Sequence, residues 1–365
     1  MTSILAILGS GETAPNMVKV HRELFGHLDS VRAIMLDTPY GFQENIPQLT
    51  EKTVTYFSTS LHVDVAPAPF HRFESSSELE RTTFLQSVRD ANYVFAGPGS
   101  PSYALAQWSP LSLGNELRHV LANGVVCFSS AAALTLGAFT APIYEIYKVG
   151  APLSWLPGLD VLGAVGLRAA IIPHYDNAEG GNHDTRFCYM GATRLDKLEA
   201  MLDDDVAIFG VDEHTAAIFD LEADTLSVQG RGGAYWRTRT GVIAVANGTT
   251  VPLSELRNAP LDPLPIQPVV QESRELSPAE LGELVAAGTA DSLDALARLV
   301  ALATTGGPGR VDPTPLVDAV LEARAAARKA GQYELSDQLR DAVTSLGIEV
   351  SDSPAGATWR FRDDN

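Results

Sequence analysis

Short apolar runs alternate with helix-like periodicity through the first 130 residues. Residues 4–8 (ILAIL) form a continuous apolar run and predict a buried strand, followed by a helix near 16–25. Residues 31–36 predict a second strand, with a helix after Asn45. A third strand is expected at 62–66 with a helix over 77–89, a fourth at 93–96 followed by the turn GPGSPS and a helix, and a fifth at 125–128. Strands alternating with helices imply a doubly wound, mostly parallel α/β sheet with both faces covered. Such sheets bind ligands beyond the carboxyl ends of their strands. The turns GSGET, DTPYG, GPGSPS and SSAAA should therefore lie along one edge.

Past Gly150 the pattern changes. Strands are expected at 169–173, 206–211, 215–220, 226–229, 234–237 and 241–246, with a helix near 195–202, as hairpins finishing a first domain over 1–257. Residues 258–275 are Pro-rich, lack periodicity and read as a linker. Residues 276–365 read as a small helical module, with helices over 277–303 and 315–346, the second broken near Gly331.

Composition narrows the setting. The chain has 365 residues, 45% hydrophobic, enough for a sizeable core. A net charge of −19 disfavours free nucleic acid or an anionic membrane as a general partner. Two cysteines, Cys127 and Cys188, without a CxxC pair, fit a reducing compartment, and the N-terminal apolar run is short and lacks a basic flank. A cytoplasmic protein is expected.

Chemistry concentrates in five places. In VVCFSSAAALTLG (125–137) an apolar run ends in Ser129 and Ser130 and passes into a helix-like pattern. A nucleophile at a strand-to-helix corner needs small neighbours two residues away, and the helix start favours a developing anion. Ser130 has Phe128 and Ala132 there; a plain packed turn is the alternative, and Cys127 sits inside the apolar run as core. AGPGSPSYAL (96–105) exposes backbone N–H groups that suit an oxyanion, or is an ordinary Gly/Pro turn. IIPHYDNAEGGNHDTRFCYMG (171–191) gathers His174, Asp176, His183, Asp184, Arg186 and Cys188, in a spacing unlike common zinc patterns. FGVDEHTAAIFD (209–220) offers Asp212 or Glu213 to orient an imidazole, or is a solvated turn. GSGETA (9–14), with Asp37 ending the second strand, fits a dinucleotide fingerprint, although Glu12 would face the pyrophosphate.

Taken in order, these segments resemble the dipeptidase E and cyanophycinase family of serine peptidases over about residues 1–252. The resemblance implies a class I glutamine amidotransferase-like fold. FSSAAA aligns with the family's nucleophile motif and puts the nucleophile at Ser130; GPGS aligns with its glycine-rich turn, PHYD gives His174, and DEHTA gives Glu213 as the third member. Phe128 and Ala132 depart from the motif's glycines, and Ser100 from its usual Asn. The implied activity is serine-dependent hydrolysis of amide or peptide bonds in small peptides. Gly99 and Ala131 would hold the oxyanion, and Ser100, Asp176, Arg186, Arg231 and Arg237 would contact substrate, with no cofactor or metal. The alternative is an inactive binding protein of the same fold. Residues 315–361 resemble the C-terminal segment of cysteinyl-tRNA synthetase, through the helices around Arg324 and Ser336, the Leu-Gly-Ile turn and the ending around Trp359. The resemblance brings in tRNA; the acidic balance disfavours it, and packing or a homodimer is the preferred use.

Overall fold

The computed structural model describes residues 2–181, 183–259, 321, 348–353 and 356–361. Two compact units divide the chain, 1–268 and 269–365.

The first unit opens with five strands and five helices. These are β1 (Ile4–Leu8), α1 (Val18–Gly26), β2 (Ala33–Leu36), α2 (Ile46–Tyr56), β3 (Val65–Ala68), α3 (Glu78–Asp90), β4 (Tyr93–Ala96), α4 (Pro101–Trp108), α5 (Leu113–Leu121) and β5 (Val125–Ser129). They follow the predicted order, except that the one helix expected between the fourth and fifth strands is two, α4 and α5. The third strand begins three residues later than expected, because the turn after α2 (Phe57–Leu61) runs on until His62 adopts a left-handed conformation. Pro67 is tolerated because β3 is an edge strand. Helix α3 starts at a capping box: Ser77 Oγ accepts from the Glu80 N–H, and Glu80 Oε2 accepts from the Ser77 N–H at 2.6 Å.

The chain continues through α6 (Ser130–Thr135), β6 (Phe139–Thr140), α7 (Ile143–Tyr147), β7 (Leu156–Pro157), β8 (Ala169–Ile172), α8 (Ala192–Glu199), β9 (Ala207–Val211), β10 (Thr215–Asp220), β11 (Thr225–Gly230), β12 (Ala234–Thr238), β13 (Gly241–Val245), β14 (Thr250–Pro252) and α9 (Leu253–Arg257). These strands do not simply extend one sheet. An eight-stranded sheet has the order β14-β11-β10-β1-β5-β4-β2-β3, and a six-stranded sheet the order β13-β12-β9-β8-β6-β7. In the first, β1 to β5 pair in parallel and β10, β11 and β14 add antiparallel. The late hairpins are divided: β10–β11 joins the first sheet and β12–β13 the second.

Strand alternation sorts the side chains into layers. On β5, Val126 and Phe128 join a core that also holds Ile171, Phe209 and Trp236 of the second sheet, so this core lies between the sheets. Val125 and Cys127 point the other way, into a core with Val20, Leu24 and Phe57 from the α1–α2 side. A third core, with Ile172, Ile208, Leu195 and Leu198, covers the outer face of the second sheet.

Gly9, just past β1, ties the sheets together. Its N–H donates to the Thr215 carbonyl at 2.9 Å, and its carbonyl accepts from the His174 N–H at 3.3 Å. A Cβ there would stand 1.9 Å from the Asp212 carbonyl oxygen.

In the second unit, β15 (Ile348–Ser353) and β16 (Gly356–Phe361) pair as an antiparallel hairpin, so the module expected to be helical ends in strands. The linker and the helices expected at 277–303 and 315–346 lie outside the described residues, apart from Leu321, which is helical. No helix among the described residues is long and apolar enough to cross a membrane.

Candidate functional site

The chain turns sharply from β5 into α6 at the two serines. Ser129 keeps extended backbone (φ −124°, ψ 150°), whereas Ser130 has φ 52°. A non-glycine residue in that region costs on the order of 1–3 kcal/mol and persists only where its surroundings enforce it. Phe128 is fully buried in the core between the sheets, which also holds Ala132 and Ala133 of α6, and its ring lies 5.9 Å from that of Trp108.

Three segments converge on Ser130. Its Oγ lies 2.9 Å from His174 Nε2, and His174 Nδ1 lies 2.6 Å from Glu213 Oε1. A carboxylate only accepts, so Nδ1 carries the proton toward Glu213. In the neutral ring Nε2 is then the acceptor and takes the hydroxyl of Ser130. His174 follows β8 and itself has φ 49°. Glu213 lies in the turn between β9 and β10. Its carboxyl is held below its ordinary range, first by the hydrogen bond from His174, against burial, and then by Asn177. Asn177 is fully buried and donates Nδ2 to Glu213 Oε1 at 3.0 Å. Sequence reasoning did not single out Asn177; its place three residues after His174 in PHYDN was the available signal.

Asp212, the other acid considered, faces elsewhere. Its Oδ2 accepts from the Gly233 N–H at 2.7 Å and from Tyr235 Oη at 3.0 Å, and its Oδ1 is buried without a partner. Burial pushes its carboxyl up to about 6. It anchors the start of β12 rather than the imidazole.

Ser129 is also turned away. It is fully buried and donates Oγ–H to Glu12 Oε2 at 2.9 Å. The Glu12 carbonyl lies 2.8 Å from His21 Nε2, and His21 Nδ1 lies 2.9 Å from Tyr93 Oη. Burial drives His21 down to about 4 and the Cys127 thiol up to about 12. The glycines of GSGETA serve this packing. A Cβ on Gly9 would strike the Asp212 backbone, and one on Gly11 would lie 2.2 Å from the His214 ring. Both glycines thus have a packing reason in this fold.

Ser130 and His174 open on a cavity of about 170 Å³ with Gly99, Ala131, Tyr144, Cys188 and Tyr189 in its walls. Gly99 has φ 148°, and a Cβ there would sit 2.0 Å from the Pro39 carbonyl. Ala131 is in the first turn of α6, where N–H groups lack intrahelical acceptors. Cys188 and Tyr189 of the wall belong, with Phe187 before them, to a left-handed turn in which all three have positive φ (61°, 55° and 66° from Phe187 to Tyr189). Tyr189 Oη donates to Glu179 at 2.8 Å.

The residues expected to contact substrate are scattered. Ser100 caps α4, accepting from the Tyr103 N–H, and is buried. Asp176 accepts from the Glu213 N–H at 2.7 Å and so positions that acid's backbone. Arg186 forks Asp184 with two bonds of 2.9 Å, and Arg237 is bound by Glu199 and Asp196. Arg231 is exposed. None of these five lines the Ser130 cavity. Among the described residues no three His, Cys, Asp or Glu side chains are grouped to hold a metal ion.

The first unit is similar in fold to a peptidase from an acI-B1 Actinobacterium, with a TM-score of 0.54, 18% identity, and coverage of 69% of this chain and 97% of that chain. The likeness is one of fold: the mixed α/β architecture is shared along nearly the whole of that chain. Residues 311–360 match the family model described as the cysteinyl-tRNA ligase anticodon binding domain. The cysteine–tRNA ligase of Metallosphaera sedula is 47% identical over 49 residues, 13% of this chain and 10% of that protein. That of Pseudomonas savastanoi pv. phaseolicola is 43% identical over 58 residues, 16% of this chain and 12% of that protein. The chain thus spans about a tenth of the length of these curated relatives.

Proposed function

We propose that the first unit is a serine-dependent hydrolase of amide or peptide bonds in small peptides, with Ser130 as nucleophile at a nucleophile elbow. The observation that carries this reading is the line from Ser130 Oγ through both nitrogens of His174 to Glu213, at 2.9 and 2.6 Å. Ser130 Oγ attacks the carbonyl carbon and its proton passes to His174 Nε2. The imidazolium is stabilised by Glu213, which Asn177 and the N–H bond to Asp176 keep in place. The N–H groups of Gly99 and Ala131 take the oxyanion. The intermediate collapses, His174 returns the proton to the leaving amine, and an acyl-serine remains. Water, deprotonated by the same imidazole, attacks this ester and restores Ser130.

The test is intact mass after treatment with a fluorophosphonate, followed by peptide mapping. One adduct on Ser130, absent in His174→Ala, is expected. A folded protein that takes no adduct would instead support an inactive binding protein of this fold.

A second reading concerns the tail. The match of residues 311–360 to an anticodon binding domain favours a role in binding tRNA, against the acidic charge of the whole chain. A gel-shift titration with bulk tRNA at physiological salt decides it; no shift removes this reading.

A further inference from the structure

A second cavity, of about 250 Å³, adjoins the one at Ser130 and shares Gly99 and Tyr144 with it. Its walls include Met35, Leu49 and Phe95, and it carries one acid, Glu12, and one cation, Lys52. The two charges are not equivalent. Glu12 is partly buried and held in one orientation, its Oε2 bound by the hydroxyl of Ser129 at 2.9 Å. Its Oε1 bonds to no other group among the described residues. Lys52 is exposed on α2, a flexible and hydrated charge. A fixed carboxylate between apolar walls focuses a negative potential into the cavity. A protonated amine entering there gains a charge-assisted hydrogen bond, whereas a carboxylate meets repulsion and loses its water.

We propose that this cavity is a subsite for a protonated amine of the substrate, with Glu12 as the recognising group. This is the opposite charge from the one that the arginines expected to contact substrate, Arg186, Arg231 and Arg237, would attract, and none of the three lines either cavity. The proposal places the amine beside the bond that Ser130 would attack, and in that clause alone it rests on the hydrolase reading.

The experiment titrates the full chain calorimetrically with n-pentylamine, pentanoate and 1-pentanol. The amine should bind at least about tenfold more tightly than the other two. Glu12→Gln should remove that advantage. Gln43→Lys adds a competing ammonium to the cavity wall without touching the Glu12–Ser129 bond, and it should do the same if Glu12→Gln fails to fold. Equal or tighter binding of pentanoate, or an unchanged amine affinity in Gln43→Lys, overturns the proposal. N-acetyl-lysine methylamide and alanine methylamide separate a side-chain amine from an α-amino group; the tighter of the two names the source, and parity of both with N-acetyl-alanine methylamide overturns the proposal. Pentylamine should also slow fluorophosphonate labelling of Ser130. If Ser130 never labels, the hydrolase reading falls, and the amine titration still decides the subsite.

Discussion

Ser129 ends β5 with extended backbone and turns its hydroxyl inward to Glu12; Ser130, the next residue, has φ 52° and turns its hydroxyl outward to His174. The inward hydroxyl is closed off: Ser129 is fully buried and bonded to the Glu12 side chain, and the Glu12 carbonyl continues to His21 and Tyr93. The outward network is equally well bonded at its far end, through Glu213 and Asn177, and has a cavity at its near end. Satisfied hydroxyls in the interior hold structure together, and one facing a cavity has room for a reacting partner. One residue of chain and one backbone torsion separate the two outcomes.

The largest effect expected from breaking this contrast is at the outward serine. Ser130→Ala should lower peptide hydrolysis by at least ~10⁴-fold and abolish fluorophosphonate labelling, with the unfolding midpoint little changed. Glu213→Gln comes next. Its amide can donate to Nδ1 and invert the tautomer, so kcat should fall on the order of 10³-fold while KM holds, read by steady-state kinetics.

The pH dependence of stability gives a third test. Asp212 rises from 3.8 to about 6 in the folded protein. The unfolded chain therefore ionises first, and stability should fall as pH rises from about 4 to about 6, by on the order of 2 kcal/mol. Asp212→Asn should flatten this slope in urea titrations at stepped pH. Glu213 acts with the opposite sign: its carboxyl is depressed, so its contribution is present above its ordinary range and is lost only as pH falls below it. The smallest effect is at the inward serine. Ser129→Ala should cost about 1 kcal/mol in denaturant unfolding and leave the labelling rate of Ser130 at the parent value.

Much of the fold was legible because its strands are continuous apolar runs between glycine-rich turns, as in residues 4–8, 93–96 and 125–129. The division into two sheets was not legible. Nothing in the alternation of residues 215–245 says that β10–β11 pairs with β1 while β12–β13 pairs with β9; that depends on contacts such as Gly9 to Thr215, more than 200 residues apart in the chain. At the site, Ser130, His174 and Glu213 stood out because each directly follows a buried strand or turn with a reactive side chain. Asn177 did not, since its part appears only when the position of Glu213 is known. The arginines read in the sequence only as charges; in space Arg186 is paired by Asp184 and Arg237 by Glu199.

Gly9 has no functional group, yet its missing side chain sets the distance between the two halves of the site. Ser130 rides on one sheet, and His174 and Glu213 ride on the ends of the other. A methyl group at Gly9 would push against the Asp212 carbonyl and wedge the sheets apart at the point where they meet. In a screen for lost fluorophosphonate labelling, a Gly9 variant would be scored with Ser130 and His174 although the glycine has no side chain to offer. The reach from one hydroxyl to one imidazole is a tolerance of the whole frame, and it is controlled by an absence.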